Sequence, residues 1–360
     1  MKNMHIFLKF CWAVVLSVCF LSSCGEKGMY VIKGGKHINR TDTIGLESIA
    51  VRIDTLTFRT DSLYDIRLFG ISEDRLFGMT ADNIIVVLDK DGHVVSANRR
   101  IGRGPGEFAS MCSIRYNPYN NVIQILDTFN KLIILDSDGE FKNEIKNDEV
   151  SASGDIVPLG KDRYAATGIS RNTRDYAITI LDKDFNPVGR LMPIMNDAQR
   201  PTVAFTVFES MRVYNGKVMY KPFGEYTYYV LSDSTYVPYL RTDFGRYTES
   251  VDMQVMVDDA VKANKFQIGY ECICGKYYLV QILYQNGLCW FYDIYDITTG
   301  KRVSHYRYGL AEYESGVDEG FILRFDGQEY RIVPDYVEDN VLYWSRFNED
   351  NTTTLFAIYL

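Results

Sequence analysis

At 360 residues, 46% hydrophobic and 14% aromatic, the chain can bury an extensive core. Nine prolines and no long Gly/Ser tract argue against a flexible linker or a disordered half. The net charge of −8 argues against a nucleic-acid partner, which would favour a basic face.

The first element is an apolar run from Phe10 to Leu21, preceded by Lys2 and Lys9. It is too short to span a bilayer and has the length of a signal-peptide core. It ends in Leu21-Ser22-Ser23-Cys24, which resembles the bacterial lipobox. The resemblance implies cleavage before Cys24 and lipidation of its thiol. The expected division is a signal peptide over 1–23, an anchor and tether over 24–46, and a folded unit over 47–360. Each buried methylene of the acyl chains contributes about 0.8 kcal/mol to membrane attachment. Cys24 therefore makes the membrane the expected first partner, in the bacterial envelope and at the outer membrane. The single acid in Cys24-Gly25-Glu26-Lys27 leaves the periplasmic and surface faces both open.

Downstream, short strands follow one another. Ser48 to Phe58 alternates apolar and polar residues through Ile49, Val51 and Ile53. Four strands are then expected at Asp65–Ile71, Arg75–Thr80, Asn83–Leu88 and His93–Asn98. The last two are joined by Asp89-Lys90-Asp91-Gly92, and a glycine-rich corner follows, Gly102-Arg103-Gly104-Pro105-Gly106-Glu107-Phe108. Strand ends of the same kind recur at Leu135-Asp136, Leu181-Asp182, Leu231-Ser232 and Tyr295-Asp296. Steps near 46–50 residues, with one longer step, match the four-stranded blades of a propeller. Further blades are expected from near Cys112 to Ile145, Gly154 to Leu191, Phe205 to Asp243 and Phe266 to Tyr308. Helical spacing of Met253, Met256, Val257, Ala260 and Val261 accounts for the longer step as an inserted helix. The last blade shows three strands, Tyr330–Pro334, Val341–Phe347 and Thr354–Tyr359. Ser48–Phe58 is expected to complete it and close the ring. The fold class is all-β: a six-bladed β-propeller of four-stranded blades, closed by the N-terminal strand joining the last blade.

The strand-Asp-x-Asp-Gly-strand unit followed by Gly102 to Phe108 resembles the six-bladed β-propeller lipoproteins of the Bacteroidetes, whose blades are related to NHL-type repeats. The resemblance implies a fold and an envelope location. It carries over no catalytic residue.

The candidate chemistry is sparse. Gly102, Gly104 and Gly106 could present backbone N–H groups to an anion beside Arg99, Arg100 and Arg103. The same glycines also suit a tight inter-blade corner with Glu107 holding backbone donors. Arg103 and Glu107 are the candidate ligand-binding residues. Asp89/Asp91 and Asp136/Asp138 could approach calcium, but position 12 counted from Asp89 is Arg100, where an EF-hand needs an acid. These turns read as hairpins held by their aspartates. Carboxylates at Asp54, Asp61, Asp65, Asp258, Asp259, Asp318 and Glu319 are scattered, and no Gly-x-Ser-x-Gly elbow occurs. Aromatic groups such as Tyr226-Tyr228-Tyr229, Tyr277-Tyr278, Trp290-Phe291-Tyr292 and Tyr343-Trp344 read mainly as inter-blade core, with sugar stacking the alternative.

Cys272 and Cys274 lie two apart on one strand face, poorly placed to bridge each other. Hairpin register sets Cys289 opposite Tyr284, so these thiols and Cys112 read as free. His37, His93 and His305 are far apart, so no metal is expected, nor any cofactor. The leading expectation is a non-enzymatic envelope module that binds a ligand, a glycan for instance, or a partner protein. The alternatives are a carbohydrate-active hydrolase or lyase in the central channel and a docking scaffold for an outer-membrane complex.

Overall fold

The computed structural model describes residues 29–35, 44–59, 63–128, 131–168, 175–194, 211–222, 225–245, 267–284 and 289–360. Cys24, the start of the expected fourth blade at Phe205 and the expected helix over 251–264 lie outside them.

Strands β1 (Tyr30–Lys33) and β2 (Arg52–Arg59) come first in the chain, and both join the edges of later blades. Blade one is β3 (Arg67–Ile71), β4 (Arg75–Met79), β5 (Ile84–Asp89) and β6 (Val94–Arg99). Blade two is β7 (Met111–Asn117), β8 (Val122–Asp127), β9 (Lys131–Asp136) and β10 (Phe141–Ile145). Blade three is β11 (Ser153–Gly160), β12 (Arg163–Gly168), β13 (Tyr176–Leu181) and β14 (Pro187–Pro193). Blade four is β15 (Arg212–Tyr214), β16 (Lys217–Tyr220), β17 (Thr227–Leu231) and β18 (Tyr236–Asp243). Blade five is β19 (Gln267–Cys274), β20 (Tyr277–Tyr284), β21 (Cys289–Asp296) and β22 (Lys301–Gly309). A separate hairpin, β23 (Phe321–Phe325) and β24 (Gln328–Ile332), precedes β25 (Tyr336–Glu338), β26 (Val341–Phe347) and β27 (Thr352–Tyr359). These last three and β2 form blade six, so the molecule is a six-bladed β-propeller.

Ring closure follows the expected route. β2 pairs antiparallel with β27 along its whole length, from Arg52 opposite Tyr359 to Arg59 opposite Thr352. The sequence reading erred on Tyr330–Pro334. Residues 328–332 pair with β23, through a turn at Gly327 (φ +74°), and lie outside the blade. The inner strand of blade six is β25, whose three residues are too few to show a periodic signal.

Alternation along the middle strands explains the packing. In β5, Val86 and Leu88 pack towards blade six with Phe58 and Leu355. Their neighbours Ile85 and Val87 pack towards blade two with Ile123 and Ile133. A strand with a blade on each side buries both faces and reads as a continuous apolar run, as in Ile84–Leu88. Among the described residues, each pair of adjacent blades encloses one such buried cluster.

The turn aspartates have a common task. Asp89 Oδ1 accepts from the N–H groups of Asp91 and His93, both at 2.9 Å. Asp136 and Asp182 repeat the pattern with Asp138 and Glu140, and with Asp184 and Asn186. In blade four the Ser232 hydroxyl accepts from the Thr235 N–H, and in blade five Asp296 Oδ1 accepts from the N–H groups of Thr298 and Thr299. These side chains fix the hairpin between the third and fourth strands of a blade. Blade six has no such turn, because its fourth strand comes from the other end of the chain.

An unexpected fifth strand lies on blade four. β1 pairs parallel with β18, Tyr30 opposite Leu240 and Lys33 opposite Asp243, and Ile32 is fully buried.

Candidate functional site

The first strand of each blade lies innermost, and these strands surround a cavity of about 470 Å³ on the ring axis. One level of this channel carries a polar belt. Arg115 of β7 donates to Asp155 of β11 through Nε (3.0 Å) and Nη2 (2.5 Å). The same Nη2 donates to the Met211 carbonyl (2.7 Å), and the Met211 N–H donates back to Asp155 (3.1 Å). Three blades are thereby clasped. The next residue, Arg212, opens β15, and its guanidinium lies 5.7 Å from the centre of the Tyr270 ring of β19. Tyr270 Oη donates to the Pro334 carbonyl (3.3 Å), which leads into Asp335 and β25.

The two channel arginines differ in kind. Arg115 is held by a carboxylate. Arg212 has no hydrogen bond or direct ion pair among the described residues; it lies against the Tyr270 ring, and the Glu271 carboxylate acts on it from beyond ion-pair distance. Glu271, on the strand that carries Tyr270, is already held by Lys221 and by Tyr278 Oη (2.5 Å). Burial pushes the Glu271 carboxyl up, but the Lys221 ammonium, the Tyr278 hydroxyl and the Arg212 guanidinium together outweigh it and leave the group below its ordinary range.

Blade six supplies acids to the same cavity. Asp335 is pushed up to about 6 by burial, although it accepts from the Ser345 N–H (2.7 Å) and from the Ser345 hydroxyl. Glu338, at the far end of β25, is also raised, by burial and then by neighbouring Asp339. It has no hydrogen bond or ion pair among the described residues. Tyr116, Tyr119, Tyr214, Tyr228, Tyr270 and Tyr336 complete much of the wall. Cys272 also lines the channel, and burial pushes its thiol up to about 11, which keeps it protonated and unreactive.

Arg103 and Glu107 lie elsewhere. The Glu107 carboxylate accepts from the Gly104 N–H (2.9 Å), and a side chain on Gly102 would collide with it. Gly106 (φ +72°) packs on Phe141 of the outermost strand of blade two, and Lys131 donates to the Gly104 carbonyl (2.8 Å). Arg103 is exposed, and neither residue lines the channel. Of the scattered acids, Glu319 accepts from Tyr292 Oη (3.0 Å), while Asp61, Asp258 and Asp259 lie outside the described residues.

Asp89, Asp91 and His93 bring ligand atoms within 4.8 Å of one another, with Asp89 engaged in its own turn as described above. Cys272, Cys274 and Cys289 are buried, Cys112 is exposed, all four are free, and Cys289 does face Tyr284. Of the aromatic groups, Tyr228, Tyr278, Phe291 and Tyr292 are inter-blade core, and Tyr228 also reaches the channel.

Sequence reasoning missed Arg212, Tyr270, Asp335 and Glu338. The available signal was positional. Each lies on or beside the first strand of its blade, where the period places the channel wall.

The fold and this lined axis define a six-bladed propeller with a polar central channel. The chain belongs to the family described as "Domain of unknown function (DUF4934)", matched over residues 47–354. Among solved structures it is similar to a candidate exported protein of Bacteroides fragilis NCTC 9343, at 14% identity and a TM-score of 0.66, covering 92% of this chain and 99% of that one. It is also similar to a DUF4221-family member from Bacteroides vulgatus, at 11% identity and a TM-score of 0.47, covering 86% of this chain and 98% of that one. At such identities the likeness is one of fold alone. No curated protein matches the chain.

Proposed function

We propose that this protein is an exported, lipid-anchored propeller of the bacterial envelope that binds a ligand in its central channel. The observation that carries the binding reading is the arrangement of charge in that channel. A guanidinium, Arg212, and a carboxylate, Glu338, that make no direct ion pair among the described residues both line a cavity of ligand size, Glu271 and Lys90 acting on them only from beyond ion-pair distance. Pockets for small ligands commonly measure about 300–1,000 Å³ and carry a few convergent polar groups. The Leu21–Cys24 lipobox supports the anchor, and the Bacteroides relative described as exported agrees with the address. Kinship of the blades to NHL-type repeats belongs to the same reading.

The test is a thermal-shift screen of the full chain in detergent against glycans, short peptides and divalent cations. A ligand that binds only the folded state raises Tm with concentration. The rise is expected to vanish in Ser113→Trp, which fills the channel from β7, while circular dichroism stays unchanged. A rise that survives Ser113→Trp places the ligand outside the channel. No rise with any compound shifts the reading to a docking scaffold, to be sought by pull-down from solubilised envelope.

A second reading, a channel hydrolase, has Asp335 behind it. A carboxyl held near pH 6 can act as a general acid. Product formation from any hit in the same screen would favour it.

A further inference from the structure

The charge arrangement also defines the ligand's chemistry, and this step rests on the channel reading above. β15 and β25 approach each other within 8 Å between Cα atoms. Arg212 opens the first and Glu338 closes the second. Despite that proximity no ion pair joins them, and neither has a direct one among the described residues. Arg115 is occupied by Asp155 and the Met211 carbonyl. Asp335 is occupied on one oxygen by Ser345. Lys90 acts on Glu338 only from beyond ion-pair distance. Glu271, itself held by Lys221 and Tyr278, acts on Arg212 only from beyond ion-pair distance. One cation and one anion without a direct partner thus line the cavity.

Their levels along the axis are set by the backbone. All blades have the same antiparallel order, so their inner strands run the same way along the axis. Arg212 lies at the level of Pro334 and Asp335, which the belt through Tyr270 fixes. Glu338 lies three residues further along β25, about 10 Å at the rise of a strand. A dianionic group such as a phosphate would fit Arg212 but face Asp335, Glu338 and Asp339. A ligand with one carboxylate and one ammonium about 10 Å apart satisfies both ends. An extended peptide of about three residues has that separation. The tyrosines of the cavity wall offer apolar ring faces to its side chains.

We propose that the channel binds a short peptide of about three residues, its terminal carboxylate on Arg212 and its terminal ammonium on Glu338. The guanidinium fork suits a carboxylate through two parallel bonds.

The test is calorimetry on the full chain in detergent with trialanine, its N-acetyl form, its C-terminal amide, free alanine and hexaalanine. Trialanine is expected to bind at least about tenfold more tightly than each capped form, the loss usual for one charged hydrogen-bonding partner. Alanine and hexaalanine are expected to bind more weakly than trialanine. In Arg212→Gln the acid and the amide become equal. In Glu338→Gln the free and acetylated forms become equal. Tm in both variants stays within about 2 °C of the parent. Capped forms that bind as well as trialanine overturn the proposal. So does trialanine that fails to bind while a glycan occupies the channel in a Ser113→Trp-sensitive manner, a result that leaves the channel reading standing. If no compound binds at all, both fail.

Discussion

Removing the Asp155 carboxylate is the sharpest perturbation of the channel wall. It accepts from Arg115 Nε, Arg115 Nη2 and the Met211 N–H, and so ties the inner strands of three blades together. Its side chain is 4% exposed, against 22% for Arg115. Asp155→Ala leaves a largely buried guanidinium and a buried backbone N–H without their acceptor. Breaking one partner of a buried pair costs about 3–5 kcal/mol. At an unfolding entropy of about 2.1 cal/mol/K per residue, each kcal/mol moves Tm of a unit of about 300 residues by about 1.5 °C. The expected fall is therefore about 5–8 °C by scanning calorimetry. Arg115→Met combined with Asp155→Leu should lose less than Asp155→Leu alone, because no unpaired charge remains. A fall below about 1 °C in Asp155→Ala, or strict additivity in the pair, would refute the clasp.

Other outcomes follow from the same geometry. Gly92 has φ +85°, and a Cβ there would lie 2.6 Å from Cβ of Phe58 on β2, so Gly92→Ala should lose about 1–3 kcal/mol in urea denaturation. Asp335 holds its proton up to about pH 6 when folded but ionises near 3.8 when unfolded, so its contribution to stability falls as pH rises between those values. Asp335→Asn keeps an oxygen for Ser345 and should gain about 1–3 kcal/mol at neutral pH and nothing below pH 3.5; an equal gain at both would contradict this. Deleting residues 25–60 removes β2 and exposes the edge of β27, which should produce aggregation or a large drop in Tm. Of the four propeller cysteines, Cys112 alone should react with a thiol reagent before unfolding, read by mass spectrometry.

Much of the ring was legible because its signals are local. A turn aspartate contacts backbone groups two and four residues away, so Asp89, Asp136 and Asp182 announce their hairpins in sequence. The run Ile84–Leu88 reads as a strand buried on both faces, and packing divides it between two blades. Where local signals were weak, the reading failed. β25 has three residues, and the more strongly patterned residues around Tyr330 took its place.

The channel was hidden for a different reason. Its wall is assembled from two to four residues of each inner strand, and Arg115, Arg212, Tyr270 and Glu338 meet across more than two hundred positions of chain. The most conspicuous motif, Gly102 to Phe108, uses its Glu107 carboxylate to hold its own Gly104 N–H. Conspicuous glycines report a local backbone requirement, which a corner has whether or not it binds anything. A binding site in a propeller has no such local requirement. The proposed channel site rests on charge that lacks a direct partner once the neighbouring pairs are assigned, at Arg212 and Glu338.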